Sequence, residues 1–278
     1  MSMDPSRIAA LLEPFLNDRC PTSRGVRDVG DFLSPTQLDQ ISTYIDLLLR
    51  WNARINLTAI RDPEQIVPRH FGESLFMARH LFPSAPVITG DAPPIAPFAM
   101  SANSAHDADR SQLETRGSKP PRVVDLGSGA GFPALPIRIW APHVHLTMIE
   151  SNHKKAAFLR EVVRALKLTN VDVLPERAES VATRLSKPSV GEDAAREPFQ
   201  PADVVTFRAV EKFTQILPTA ASFLAPNARL AVLVTLDQRQ QLQAISTITW
   251  NHMSVPRSHN RVLAIGTTKW QNNVITDE

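Results

Sequence analysis

Cysteine is nearly absent from this sequence, since Cys20 is the single one among 278 residues. One thiol excludes an internal disulfide and a thiolate-rich metal site, and it is typical of a protein in a reducing compartment. Pro21 follows Cys20 in a turn-rich segment, which disfavours a catalytic role for the thiol. We therefore predict a protein that binds no metal and does not use cysteine chemistry.

Long hydrophobic runs are also absent. No apolar run approaches the roughly 18 residues of a membrane-spanning helix. The run at residues 8–12 is interrupted by Glu13 and Pro14 before it reaches the length of a signal-peptide core. These absences predict a soluble, cytoplasmic protein that binds no membrane.

Neither sign of charge dominates, because 30 Lys and Arg residues face 28 Asp and Glu residues, for a net charge of +2. So small a charge does not by itself predict nucleic-acid binding. A chain of this length with 43% hydrophobic residues can bury a sizeable core. We expect one large domain, or a large domain with a small one.

Prolines divide the chain into three predicted segments. Residues 1–82 are expected to form a small helical unit, residues 83–121 a flexible proline-rich insert, and residues 122–278 the main domain. The insert carries seven prolines and shows neither a helical nor a strand period, so we assign it no structure.

The first segment contains two clear helix patterns. Ser34, Pro35 and Gln37 form a capping box with proline at the first helical position. Apolar residues then recur every three or four positions, which predicts a helix with one buried face. A second helix is predicted over residues 64–81.

From residue 122 onwards, short apolar runs alternate with longer amphipathic ones. Strands are predicted at residues 122–126, 144–149, 171–174, 203–207 and 230–235. Helices are predicted at residues 133–140, 154–166 and 213–224. Because strands separated by helices need crossover connections, the pattern predicts an α/β fold with a mostly parallel sheet and helices on both faces. Residues 245–250 and 262–267 are predicted to form a final antiparallel pair, after a second polar insert at residues 186–201.

Glycine is scarce, yet three of the ten lie at alternate positions directly after the first predicted strand: Gly127, Gly129 and Gly131. This strand contains Asp125 near its end, so the bare backbone falls at the carboxyl edge of the sheet, where doubly wound folds bind ligands. A tight turn without a ligand is the simpler alternative, but such a turn does not require three glycines in five residues.

A dinucleotide and S-adenosylmethionine are the two candidate ligands for this loop. A pyrophosphate loop has the spacing Gly-x-Gly-x-x-Gly and directs helix amides at phosphate. Here the third glycine comes one residue early, and Pro133 and Pro136 each remove an amide near the start of the helix. The spacing therefore favours a ligand without phosphate. Glu150, at the end of the second strand, can accept hydrogen bonds from ribose hydroxyls, which both ligands carry. A solvated charge or a helix cap is the alternative for Glu150.

The segment DLGSGAGFP at residues 125–133 resembles motif I of class I methyltransferases, and its ending resembles that of the RsmG (GidB) family of bacterial ribosomal RNA methyltransferases. Residues 49–63, LRWNARINLTAIRDP, resemble the helical N-terminal signature of that family. Other matching pieces follow in the expected order: Arg69-His70, Glu73-Ser74, Glu150-Ser151, Lys155, Phe158-Leu159-Arg160, Arg177-Ala178-Glu179 and Phe207-Arg208-Ala209. The resemblance covers roughly residues 34–81 and 121–268.

The resemblance implies a Rossmann-like class I methyltransferase fold and an enzyme that uses S-adenosylmethionine. The implied reaction methylates N7 of one guanine in the 530 loop of 16S ribosomal RNA, position 527 in the usual RNA numbering, so the partner is 16S rRNA or the small ribosomal subunit. The residues implied to bind the cofactor are Asp125, Gly127, Gly129, Gly131, Phe132, Glu150, Ala178 and Glu179. Arg208 is implied to face the methyl-transfer site as the catalytic residue. Arg69, His70 and Arg160 are the candidate RNA-binding residues.

Guanine N7 carries a lone pair and no proton, so the reaction needs no general base. We therefore expect Arg208 to bind an RNA phosphate or the O6/N7 edge of guanine rather than to donate a proton. Without the resemblance, Arg208 is a solvated residue at a strand end and His70 an ordinary helix histidine. Arg160 shares a basic helix face with Arg164 and Lys167, for which a solvated surface is the commoner explanation.

Two positions depart from the family pattern. Residues 233–235 read Leu-Val-Thr where the family usually has Leu-Lys-Gly, and Glu73 stands where aspartate is usual. The missing lysine leaves open a non-catalytic RNA-binding module on the same fold. The weak net charge leaves open a methyltransferase that acts on a small molecule or a protein.

Overall fold

The computed structural model of the protein describes residues 3–17, 33–83, 119–186, 199–208, 213–244 and 247–268. Cys20, Ala209 and nearly all of the two predicted inserts lie outside these ranges. The division of the chain at residues 82 and 121 stays a prediction.

Helices and strands alternate through most of the described chain. The helices are α1 (Pro5–Leu16), α2 (Pro35–Asn52), α3 (Pro63–Ile66), a π-helical turn (Val67–Gly72), α4 (Glu73–Leu81), α5 (Ala134–Trp140), α6 (His153–Ala165), α7 (Ala178–Ser186), α8 (Phe213–Ser222), α9 (Leu236–Arg239) and a 3₁₀ segment (Gln240–Ala244). The strands are β1 (Arg122–Leu126), β2 (His145–Ile149), β3 (Val171–Leu174), β4 (Ala202–Arg208), β5 (Leu224–Thr235), β6 (Ile248–Ser254) and β7 (Arg261–Thr268).

These strands form a seven-stranded sheet in the order β3-β2-β1-β4-β5-β7-β6. The neighbours from β3 to β5 pair in parallel, whereas β7 pairs antiparallel with β5 and with β6. The predicted α/β fold with its antiparallel final pair is therefore confirmed. The chain order reverses between β1 and β4, and doubly wound sheets bind ligands above such a reversal.

Three predicted bounds near β5 and β6 were wrong. The helix predicted to residue 224 ends at Ser222, and β5 begins at Leu224 rather than at residue 230. The strand predicted at residues 245–250 begins at Ile248. Apolar residues continue from the end of α8 into β5, so hydrophobic period alone does not locate the boundary between them.

Each face of the sheet packs against its own hydrophobic cluster, as alternation along β1 shows. Val123 belongs to the cluster that includes α1, α2, α4, α5 and α6, whereas Val124 belongs to the cluster under α7 and α8. The N-terminal helices thus share a core with one face of the sheet.

The capping box predicted for α2 is confirmed. The amide of Gln37 donates to Ser34 Oγ (3.3 Å), and the Ser34 amide donates to Gln37 Oε1 (2.8 Å). Gln37 Nε2 also donates to the carbonyl of Ile139 in α5 (2.6 Å), which joins the cap of α2 to the helix that follows the glycine loop. The cap therefore fixes both the start of α2 and its position on the main domain.

Helix α1 was not predicted, because Pro14 interrupts its apolar run. Asp4 caps the helix by accepting from the amide of Ser6 (2.7 Å), and Pro14 falls in the last turn. Because proline has no amide hydrogen, Pro14 removes one internal hydrogen bond of the helix. Burial of the apolar face of α1 outweighs that loss; its buried residues are Ile8, Leu12, Phe15 and Leu16. Along the described chain, no helix is both long and apolar enough to cross a membrane.

The helix predicted over residues 64–81 exists as α3, the π-turn and α4 in succession. A π-turn widens a helix locally and is frequent at functional sites. Gly72 ends it where α1 approaches closely, because a Cβ atom there would lie 2.6 Å from the ring of Phe15. The turn carries Arg69 and His70, and both contact Arg208 at the carboxyl end of β4.

Candidate active site

The glycine loop connects β1 to α5 at the carboxyl edge of the sheet. The amides of Gly127 and Ser128 both donate to the carbonyl of Ile149, the last residue of β2 (2.8 and 3.2 Å). The loop is thereby fixed between the ends of β1 and β2, beside the reversal of strand order.

Gly129 and Gly131 both require positive φ, +55° and +86°, but their surroundings differ. A Cβ atom on Gly129 would meet nothing closer than the carbonyl oxygen of Gly127, at 3.8 Å. A Cβ atom on Gly131 would lie 2.5 Å from the hydroxyl of Tyr44 and 2.6 Å from Leu135 Cδ1. Gly129 therefore faces open space, whereas Gly131 allows the N-terminal helices to pack against the loop.

Glu150 is buried, with 7% of its surface exposed, so the solvated-charge interpretation is wrong. Its Oε2 accepts from the amide of Gly129 and its Oε1 from the amide of Asn152, both at 2.8 Å. Helix α6 is capped by Asn152 and not by Glu150. Because each carboxylate oxygen has a second lone pair, Glu150 can still accept hydrogen bonds from a ligand beside Gly129.

Asp125 lies beneath the loop, 1% exposed. Its Oδ1 accepts from Thr206 Oγ1 on β4 (2.6 Å), whereas Oδ2 is buried and has no partner among the described residues. Burial raises the pKa of Asp125 to about 7, although the hydrogen bonds from Ser128 and Thr206 oppose the shift. Asp125 thus joins β1 to β4 under the loop.

Ala178 and Glu179, two of the residues predicted to bind the cofactor, open helix α7, after β3. Ala178 is buried and Glu179 is exposed. Arg160 is exposed on α6 and donates to the carbonyl of Val173 (3.2 Å). These three residues lie on the β2 and β3 side of the loop, away from β4.

Phe132, which is also predicted to bind the cofactor, packs among aromatic rings. It stacks on Tyr44 (centroids 5.3 Å apart) and on His70 (4.8 Å), and it meets the edge of Phe71 (5.1 Å). Tyr44 also donates a hydrogen bond to the carbonyl of Ala130 in the loop. Aromatic packing therefore joins the loop to α2 and to the π-turn.

Arg208, at the end of β4, is not the solvated residue of the simpler interpretation, because only 8% of its side chain is exposed. Its Nη2 lies 3.2 Å from Glu73 Oε2 and donates to the carbonyl of Arg69 (2.9 Å). The same nitrogen is 3.2 Å from His70 Nδ1. Arg208 therefore contacts two of the predicted RNA-binding residues.

His70 is half-buried, and both of its ring nitrogens have partners. Nε2 lies 2.7 Å from Thr58 Oγ1, and Nδ1 faces Arg208. Burial, together with the charges of Arg208, Arg69 and Arg261, lowers the pKa of His70 to about 3. The imidazole is thus neutral at physiological pH, and its ring is a packing surface for Phe132.

This pKa predicts how stability depends on pH. The unfolded chain has a histidine pKa near 6.5, so between about pH 3 and 6.5 it binds a proton that the folded protein does not. The stability contributed by neutral His70 is complete above about pH 6.5 and is lost as the pH falls towards 3, by up to about 1.4 kcal/mol per unit. We expect His70→Gln to reduce the pH dependence of the unfolding free energy in this window. Urea unfolding at about pH 5 and about pH 7 measures the change in unfolding free energy with pH. An equal change in the natural protein and in His70→Gln would contradict the prediction.

Two residues of the site were missed by the sequence analysis as functional candidates: Glu73 and Arg261. Glu73 is 1% exposed and binds three arginines, with Oε1 at 3.1 Å from Arg69 and Oε2 at 3.0 Å from Arg261 and 3.2 Å from Arg208. We call this group the arginine cluster: Arg69, Arg208 and Arg261 around Glu73. The four-residue spacing of Arg69 and Glu73 on a predicted helix is a signal for their pair. Nothing in the sequence signals Arg261, which is 188 residues from Glu73.

The position of the family lysine is occupied by the buried, apolar Val234, and Thr235 caps α9. The chain therefore supplies no charge from the end of β5. Among the described residues, no group of three or more His, Cys, Asp or Glu side chains is arranged to hold a metal ion.

The sequence model of a family described as "GidB: rRNA small subunit methyltransferase G" matches residues 37–88 and 110–262. A protein named ribosomal RNA small subunit methyltransferase G from Chloroflexus aggregans is 34% identical over 212 residues, 76% of this chain and 70% of the relative. One of the same name from Roseiflexus castenholzii is 36% identical over 217 residues, 75% of this chain and 70% of the relative.

Among solved structures, the chain is similar to an O-methyltransferase from Bacillus cereus in complex with SAH. The TM-score is 0.52 at 14% sequence identity, and the match covers 87% of this chain and 95% of that one. At this identity the similarity concerns the fold, and it agrees with the predicted class I methyltransferase architecture.

Proposed function

The chain belongs to the GidB family of rRNA small subunit methyltransferases G, and on that premise we propose that it transfers a methyl group from S-adenosylmethionine to N7 of the guanine at position 527 of 16S rRNA. One structural observation carries the proposal. A buried carboxylate, an open glycine loop and a buried arginine lie at the ends of three adjacent strands, β2, β1 and β4.

The residues around the loop fit S-adenosylmethionine. Glu150 is placed to hold the ribose hydroxyls, and the open side of Gly129 admits a ligand close to the backbone. A pyrophosphate fits less well, because Pro133 has no amide and the Leu135 amide already donates to the carbonyl of Gly131 (2.9 Å). Ala178 and Glu179 lie beyond Glu150, on the side that we assign to the adenine.

When bound, S-adenosylmethionine supplies a methyl group on a positively charged sulfur, which N7 of guanine can accept without a general base. The tasks left to the protein are therefore to hold the base, exclude water and balance charge. Positioning of this kind lowers a barrier by up to about 7–11 kcal/mol. We assign the positioning of the guanine nucleotide to Arg208, which is buried between β4 and the π-turn.

Arg208 acts in this proposal as a cation that does not exchange its proton. Burial lowers its pKa only to about 10, with the carboxylate of Glu73 opposing the shift, so the guanidinium keeps its charge at neutral pH. A charged guanidinium binds a phosphate, or the O6/N7 edge of guanine, through two parallel hydrogen bonds. We propose the small ribosomal subunit of the cytoplasm as the setting of this contact.

The direct test uses purified protein, labelled S-adenosylmethionine and small subunits from a strain that lacks this gene. We expect label in 16S rRNA, and none in subunits from the parent strain, whose site is already methylated. Label that resists RNase but not protease would indicate a protein substrate instead. Absence of label together with intact RNA binding would indicate a non-catalytic module, and either result would refute the proposal.

Cofactor affinity tests the role of Glu150. Glu150→Gln keeps the shape of the side chain but removes the charge, and a hydrogen bond to a charged group contributes about 1.5–3 kcal/mol. We expect the Kd for S-adenosylmethionine to rise about 10- to 150-fold in calorimetry. Asp172→Asn is the control, because Asp172 is an exposed carboxylate on β3. Unchanged affinity in Glu150→Gln would remove Glu150 from the cofactor site.

A further inference from the structure

We propose that the arginine cluster binds one phosphate group of the RNA substrate, next to the target guanine. The inference rests on the proposed function and extends it to two residues, Arg261 and Glu73, that were not candidates from the sequence. Its grounds are the charge balance of the cluster, an unpaired donor within it and its place on the sheet.

The cluster carries an excess of positive charge. Three guanidinium groups surround one carboxylate, which leaves two positive charges without a counter-charge in the part of the chain that the structure describes. Neutral His70 adds none. Among the described residues, Glu73 is the one carboxylate in ion-pair contact with these arginines. A group of this charge, partly shielded from water, attracts an anion that can accept several hydrogen bonds, such as phosphate.

Arg208 also has one hydrogen-bond donor without a partner among the described residues. Its Nη1 is buried and has no hydrogen-bond partner among the described residues, while Nη2 is engaged by Glu73 and the π-turn. Buried donors in folded proteins are almost always paired, so an unpaired guanidinium nitrogen in a site indicates a place for an acceptor. A phosphate oxygen there would accept from Nη1 without breaking the contact between Arg208 and Glu73.

The cluster is reachable by a large ligand. Arg208 is 8% exposed, but the side chains of Arg69 and Arg261 are 42% and 25% exposed. The site therefore has exposed arginines at its rim and a buried guanidinium at its base. A phosphate of an RNA chain could enter it while the rest of the chain stays outside. Arginine is favoured over lysine at such sites because its planar fork matches phosphate oxygens.

The place of the cluster on the sheet separates it from the ribose site. Glu150 follows β2, Arg208 ends β4, and Arg261 opens β7 opposite Thr235 at the end of β5. Since neighbouring strands lie about 4.8 Å apart, β7 is about 19 Å from β2 across the sheet. We therefore assign the cluster to the methyl acceptor rather than to the nucleoside of the cofactor.

Arg261→Gln tests the proposal, with Arg184→Gln as a matched control. Arg184 is 28% exposed and forms a 3.1 Å ion pair with Glu176, much as Arg261 pairs with Glu73. The probe is 16S rRNA from subunits that lack the methyl group, titrated at several salt concentrations. For Arg261→Gln we expect about tenfold weaker RNA binding and a slope of log K against log salt that is less negative by about 0.7. Its affinity for S-adenosylmethionine should equal that of the natural protein, and Arg184→Gln should change neither property.

Glu73→Gln and Glu73→Asp test whether the carboxylate positions the arginines. We expect Glu73→Gln to weaken RNA binding although it adds net positive charge. Glu73→Asp keeps the carboxylate and should therefore retain most of the RNA affinity. A residue needed only for stability would change the midpoint of unfolding and leave the affinity of the folded protein for RNA as it was.

The outcomes separate this inference from the proposed function. If the natural protein methylates 16S rRNA but Arg261→Gln binds RNA normally, the phosphate site is wrong and the function stands. If Arg261→Gln loses S-adenosylmethionine rather than RNA, the cluster binds the cofactor carboxylate and the inference is overturned. If Arg261→Gln weakens RNA binding in a protein that transfers no methyl group, the phosphate site stands and the function fails.

Discussion

Replacing Arg208 by glutamine is expected to lower kcat/KM for methylation of small-subunit rRNA by about two to three orders of magnitude, the usual effect of removing one preorganised hydrogen-bond donor from an active site. The reason is burial. With 8% of the side chain exposed, water cannot replace the lost guanidinium, and a nucleotide placed between the loop and the π-turn loses its charged contact. Single-turnover rates with undermethylated small subunits give the measurement.

A second variant and a binding measurement show whether the loss at Arg208→Gln concerns the RNA substrate. Arg208→Lys keeps the charge but not the planar fork, so we expect intermediate activity. Calorimetry should find S-adenosylmethionine bound with unchanged affinity in both variants, because Glu150 lies two strands away. Activity of Arg208→Gln within about threefold of the natural protein would exclude Arg208 from the acceptor site.

Gly131→Ala is expected to destabilise the protein strongly. A non-glycine residue with positive φ costs about 1–2 kcal/mol, and overpacking a close-packed site costs about 1–3 kcal/mol more. Both apply here, because the new methyl group would lie 2.5 Å from the Tyr44 hydroxyl at a φ of +86°. We expect the unfolding free energy in urea to fall by about 2–5 kcal/mol.

Gly129→Ala is the matched comparison in the same loop. Its new methyl group would meet nothing within 3.8 Å, so only the backbone cost of about 1–2 kcal/mol applies. The methyl group would instead occupy space that we assign to the cofactor, and affinity for S-adenosylmethionine should fall about tenfold, or 1.4 kcal/mol. Equal destabilisation by the two substitutions would show that the different surroundings of the two glycines do not matter.

Much of the fold could be predicted from local patterns. β1 and β3 begin and end where the alternation of apolar runs places them, and the α2 cap follows from three residues. Helix α1 was missed because its proline is tolerated only through burial against other helices. Local sequence does not contain that burial, which depends on contacts such as that of Phe15 with Gly72.

The candidate site was predictable where it follows a strand and not where it is assembled across the chain. Glu150 was found because residues at the carboxyl ends of parallel strands surround the ligand, and Arg208 was found through the family resemblance. Arg261 lies at the start of an antiparallel strand, at the edge where the parallel strands end. A search for residues at the ends of strands therefore does not find it. Glu73 stands at a family position where aspartate is usual, but its burial among three arginines is visible only in the folded chain.

The most direct measurement maps N7-methylguanine in 16S rRNA from paired strains with and without this gene. Mild reduction and aniline cleavage break the RNA at N7-methylguanine, and primer extension locates the break. We predict a break at position 527 in the strain with the gene, its loss in the deletion strain, and its return with the natural protein but not with Arg208→Gln. A break of equal intensity in both strains would contradict the proposal that this protein methylates the 530 loop.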